Sequence, residues 1–145
     1  MITKKIITPL LSAFLLTGVV STTLMAKPQH KQKPFLIQGK LPHLTKKVKM
    51  MWDDPKLALT KDQKKELSLV KKETMTQVKA LAKKIFPLEN EIVKSSKKGA
   101  KPKTLQNKVE KLAKLKAKAT MVHLNCLYKT KQILTPHQLT ILKQK

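Results

Sequence analysis

Two stretches of this chain place apolar side chains three or four residues apart over many turns. The first runs through Leu67, Val70, Thr74, Val78, Leu81, Ile85, Leu88 and Ile92. The second runs through Leu105, Val109, Leu112, Leu115, Ala119, Val122, Cys126 and Ile133. Such a period marks one face of a long amphipathic α-helix. Between the two, the stretch SSKKGAKPK at 95–103 supplies Gly99 and Pro102 and reads as the turn of a helical hairpin. Pro87 falls inside the first stretch and predicts a bend or one missing hydrogen bond there.

The hairpin has flanks. Leu44, Val48, Met51 and Trp52 share a helical face, which predicts a short helix from about Pro42 to Trp52, with Pro42 suited to its first turn. The run WDDP stops it, because the residue before Pro55 disfavours the α region and Asp53 and Asp54 suit a turn. The phrase Leu-Thr-x-x-Gln then occurs at 59–63 and again at 134–138. Thr60 with Gln63, and Thr135 with Gln138, have capping-box spacing: the threonine oxygen accepts from the third helical N–H and the glutamine reaches back. Leu59 is placed to staple onto the first turn, and Pro136 suits the first position of a last short helix carrying Leu139, Ile141 and Leu142. The predicted fold is therefore all-α: an elongated helical hairpin with short flanking helices, four helices in total.

Phe35, Trp52, Phe86 and Tyr128 are the only aromatic side chains after residue 26. A single copy with so few large side chains buries little apolar surface, which favours completion of the core by a second copy. Charge is the dominant compositional fact: 32 basic residues against 8 acidic ones, a net charge of +24, and every basic residue is lysine. This field attracts anionic partners in general. The lack of arginine removes the bidentate fork with which phosphates and guanines are usually read, so no specific nucleic-acid partner is expected.

At the N-terminus, Lys4 and Lys5 precede the apolar run at 6–20, followed by small and polar residues up to Ala26. This is the pattern of a secretory signal peptide over 1–26, with cleavage after Ser21 as the competing choice. The run is too short and too interrupted by Pro9, Ser12 and Gly18 to stay comfortably in a membrane. Residues 27–40 mix lysine, glutamine, proline and glycine without helical period and read as a flexible arm whose sticky patch is 35–37; the helical domain is expected over 41–145. Export implies an oxidising compartment, yet Cys126 is alone and lies on a packed face, so it is expected to be buried.

With a leader, a short basic helix, WDDP, LALTKDQ, a long hairpin and HLNCLYKTKQILTPHQ, the chain resembles the Spy/CpxP family of periplasmic proteins, which carry paired LTxxQ motifs. The similarity covers about Leu41 to Lys143, and His123-Leu124 is similar to the His-Leu run ahead of the family's second motif. The resemblance implies a cradle-shaped, intertwined antiparallel homodimer that binds unfolded or misfolded periplasmic proteins without ATP, as part of a stress response. Some relatives restrain an envelope-stress sensor kinase, and the zinc-resistance-associated branch binds metal. This chain departs from the family's better-known members in lacking arginine, so arginine-rich patches of their concave face have no counterpart here.

No spacing of Ser, His and Asp suggests a nucleophile, no Gly-rich phosphate loop is present, and Glu89 and Glu91 lie two apart, so no catalytic residue is named. His123 and Cys126 are three apart and are candidate metal ligands, for zinc, with His30, His43 and His137 as further imidazoles; a closed zinc site needs four ligands. Lysines beside an apolar seam, together with adaptable methionines, suit promiscuous client binding. The candidate client-binding residues are Lys46, Lys47, Lys49, Met50, Met51 and Trp52, with Lys64, Lys65, Lys71 and Lys72 on the first long helix.

Overall fold

The structure, a computed structural model, describes residues 33–144. The leader expected over 1–26, both of its cleavage points, the beginning of the arm and His30 lie outside the described residues. The fold is all-helical, with α1 (Leu44–Met50), α2 (Lys61–Lys97), α3 (Pro102–Ile133) and α4 (Pro136–Lys143). Helix α1 is shorter than its apolar pattern suggests. His43 serves as its N-cap, its carbonyl accepting from the Lys46 and Lys47 N–H groups, and the Met51 N–H already turns back to the Val48 carbonyl. Asp54 then builds the predicted turn: its side chain accepts from the Lys56 N–H at 2.9 Å and its carbonyl from Leu57 and Ala58.

Helix α2 is 37 residues long and at 1.5 Å per residue extends about 55 Å. It continues through Pro87. It ends in a Schellman motif: Gly99 adopts φ +81°, its N–H meets the Ser96 carbonyl at 2.9 Å, and the Ala100 N–H meets that of Ser95 at 3.1 Å. Pro102 opens α3 at its first turn. The two long helices pack antiparallel, stitched by Lys129–Glu73, Lys108–Glu91 and Lys116–Glu89.

Their contact is a narrow seam. Leu67, Val70 and Ile85 of α2 are buried, while Thr74, Val78, Leu81, Leu88 and Ile92 are half-buried. On α3, Ala119 and Cys126 are buried as expected, but Val109 is 49% exposed. Ten positions at about 100° each put Val109 about 80° around the helix from Ala119, at the margin of a stripe that only one partner helix covers. Leu127 and Thr130, which the pattern did not single out, are buried near the end of α3.

The main core sits at the open end of the hairpin. Val48, Met51, Leu57, Leu67, Leu134 and Leu142 form it, with Trp52, Leu59, Ile133, Leu139 and Ile141 packed around. Leu57, from the turn before α2, is fully buried. Lys47 closes the far side, its Nζ donating to the Leu142 carbonyl at 2.9 Å near the C-terminus of α4. Residues 33–40 form no helix, but Pro34 is buried, and the Leu36 N–H donates to Thr120 Oγ1 at 2.9 Å. Among the described residues no helix is long and apolar enough to cross a membrane.

Candidate functional site

Both Leu-Thr-x-x-Gln phrases start helices in the way their spacing predicts. Thr60 Oγ1 accepts from the Gln63 N–H at 3.1 Å and Gln63 Oε1 accepts from the Thr60 N–H at 3.1 Å. Thr135 and Gln138 repeat the arrangement at 3.2 and 2.9 Å. The structure adds what local spacing does not reveal. Gln63 Nε2 donates to Gln138 Oε1 at 2.9 Å, and Gln138 Nε2 returns a bond to Gln63 Oε1 at 3.0 Å. The remaining donors go to main-chain carbonyls, Gln63 to Ile133 at 2.9 Å and Gln138 to Leu57 at 3.0 Å. Each amide therefore has both its oxygen and its nitrogen engaged, as a buried amide must. The phrases are one device in two halves, fastening the start of α2 to the start of α4.

Beside this device the surface is basic and grooved. A cavity of about 270 Å³ opens between α1 and α2, lined by Thr45, Val48, Lys49 and Trp52 on one side and Leu67, Ser68 and Lys71 on the other. A second, more open depression of about 450 Å³ shares Ser68 and Lys71 with it and continues along α2 past Lys72, Met75 and Thr76 to Lys79. Lys64 Nζ lies 5.9 Å from the Trp52 ring centroid and pairs with Asp53 at 2.7 Å. On the opposite flank of α1, His43, Lys46, Lys47, Met50 and Met51 line another depression of about 280 Å³.

The ten candidate client-binding residues thus divide. Lys49, Trp52 and Lys71 meet in the groove, and Lys72 extends it. Lys46 and Met50 face the other flank of α1, Met50 being 73% exposed. Lys65 is exposed on α2, outside both depressions, and Lys64 stands at the rim over Trp52. Two residues leave the set. Met51 is 2% exposed and belongs to the core, on the same apolar face as the buried Leu44 and Val48. Lys47 spends its ammonium on the Leu142 carbonyl. Ser68, Met75, Thr76 and Lys79 join the groove although the sequence reading did not name them; their recurrence with Lys71 and Lys72 at three- and four-residue intervals was the available signal.

The metal candidates do not converge. His123 turns toward the arm and α1, with its ring centroid 5.2 Å from both Phe35 and His43, the two imidazoles stacked at 19°. Burial first and the neighbouring His43 second hold the His123 pKa below its ordinary 6.5. Its Nδ1 is buried without a partner. Cys126, 5% exposed, instead lines a small polar cleft against α2 with Glu73, Thr74 and Gln77. In that cleft Lys129 holds the Glu73 carboxyl below the usual carboxylate range, by its hydrogen bond and then by its charge. His137 is exposed on α4. Among the described residues no three His, Cys, Asp or Glu side chains group in a way that holds a metal ion.

In comparisons with known proteins the chain matches no family model, and no curated protein or solved structure is significantly similar to it.

Proposed function

We propose that this chain is an ATP-independent holdase of the LTxxQ, Spy/CpxP kind, exported to the periplasm, where it binds unfolded or misfolded envelope proteins. The observation that carries the reading is the groove between α1 and α2. Its walls are apolar at Val48, Trp52 and Leu67, and lysines border it. Lysines attract an unfolded chain from a distance, and the apolar wall then holds it by short contacts. Open depressions with exposed Met50 and Met75 suit weak, adaptable contact with many sequences rather than one tight ligand. Release then needs no nucleotide, only reversible binding.

The reading includes a homodimer. Leu69, Met75, Val93, Val109, Met121 and Tyr128 stay exposed on the two long helices, apolar side chains that a second copy can cover.

The test is suppression of aggregation of a chemically unfolded acidic client by the purified protein, at low and high salt. Suppression is expected at low salt and should weaken as screening shortens the reach of the lysines. Equal suppression at both ionic strengths would remove electrostatic capture from the mechanism. The alternative role as an envelope-stress regulator or zinc-binding protein of the same family makes a different prediction, stoichiometric zinc uptake lost in His123→Ala.

A further inference from the structure

We infer that the groove running from Trp52 to Lys79 is a peptide site with a compositional preference, taking most readily an extended segment in which a bulky apolar side chain is followed by carboxylates. The inference rests on the client-binding reading and specifies what that surface prefers.

The two ends of the groove differ in chemistry. Around Val48, Trp52 and Leu67 it is deep and apolar, with room for a leucine or phenylalanine side chain. Farther along α2 it becomes shallow and is bordered by Lys71, Lys72 and Lys79, with Met75 between them. Among the described residues no carboxylate lines either part, and none of Lys49, Lys71, Lys72 and Lys79 is in an ion pair. This contrasts with the seam side of the hairpin, where Lys108, Lys116 and Lys129 are each matched by a glutamate. The unmatched lysines leave a positive stripe that an anionic occupant completes.

Length and wall chemistry favour a peptide over a lipid-like amphiphile. From Ser68 to Lys79 the helix advances about 16 Å, the span of roughly five extended residues. The hydroxyls of Thr45, Ser68 and Thr76 are spaced along the walls, where main-chain N–H and C=O groups of an extended segment can meet them. A hydrocarbon tail has no use for these groups.

Trp52 is the only tryptophan in the chain and lines the deep end, so its emission reports occupancy. The full-length protein is titrated with a tryptophan-free peptide, capped at both termini, carrying a phenylalanine followed by a pair of aspartates. A saturable shift of Trp52 emission is expected. Replacing the phenylalanine by glycine, or the aspartates by asparagines, should each weaken binding. The exposed double substitution Lys71→Gln/Lys72→Gln should weaken the acidic peptide about tenfold at low salt and leave the asparagine peptide unchanged. Equal affinity for the aspartate and asparagine peptides, or saturation of the Trp52 signal by dodecanoate but not by peptide, would overturn the inference. The aggregation assay separates the two levels. Suppression without any peptide-induced Trp52 shift rejects this groove and leaves the holdase reading; peptide binding without suppression rejects the holdase reading and leaves the groove.

Discussion

Gln138 makes polar contacts of two kinds. One set caps its own helix, and the other reaches Gln63 and the Leu57 carbonyl. Capping alone is worth about 1 kcal/mol, so Thr60→Ala and Thr135→Ala should each cost about that in denaturant unfolding. Gln138→Ala removes a cap and also strands the Gln63 amide and a buried carbonyl, so its cost should reach about 2–4 kcal/mol. A double-mutant cycle with Gln63→Ala should show a coupling of about 1 kcal/mol or more, and strictly additive losses would disprove the reciprocal bond. His123 carries a second residue-level expectation. Its pKa is lowered in the folded state, so the unfolded chain takes up a proton first as pH falls. Its contribution is therefore complete above pH 6.5 and is lost as pH drops through that value toward the folded-state pKa. Unfolding free energies measured above and below pH 6.5 should differ less in His123→Phe than in the parent.

The helices were legible because their determinants are local. Thr60, Gln63, Thr135 and Gln138 announce two helix starts, and Gly99 with Pro102 announces the hairpin turn, all through side-chain chemistry acting over a few residues. Gly99 is needed for its backbone alone, since no atom lies within 4 Å of a Cβ built there. Gly99→Ala should consequently cost about 1–2 kcal/mol from the left-handed conformation and disturb nothing else. Ala58 illustrates the opposite case. It adopts φ 45° without glycine or asparagine to signal it, because the turn that buries Leu57 and presents its carbonyl to Gln138 is imposed by tertiary contacts. Ala58→Gly should be stabilising by about 0.5 kcal/mol, the strain relieved exceeding the added freedom of the unfolded chain. The depth of Leu57 and the exposure of Val109 were hidden for the same reason. Each depends on which helix lies opposite, and no spacing within one helix encodes that. The candidate site was half legible: the lysines and Trp52 were visible, but their division between two flanks of α1 required the fold.

Among the described residues, the core cluster lies at one end of the hairpin and lysines run along both long helices. The core cluster around Leu57 and Leu142 draws on α1, α2 and α4 and the end of α3, while most of α2 and α3 is a two-helix ribbon with a single seam. Leu57→Ala should thus cost about 2–5 kcal/mol, near the upper part of what a small domain tolerates, whereas Val93→Ala or Val109→Ala should change stability by less than about 0.5 kcal/mol. If the exposed apolar residues of the ribbon are covered in the proposed dimer, Val109→Glu should shift sedimentation toward the monomer without altering the monomer's helical content. The fastening between Gln63 and Gln138 has a further consequence, for synthesis. A copy that stalls or is clipped before Pro136 still offers Gln63 the Ile133 carbonyl, but it lacks Gln138 and Leu142, so an unfinished molecule is left half-latched at the end that holds its core.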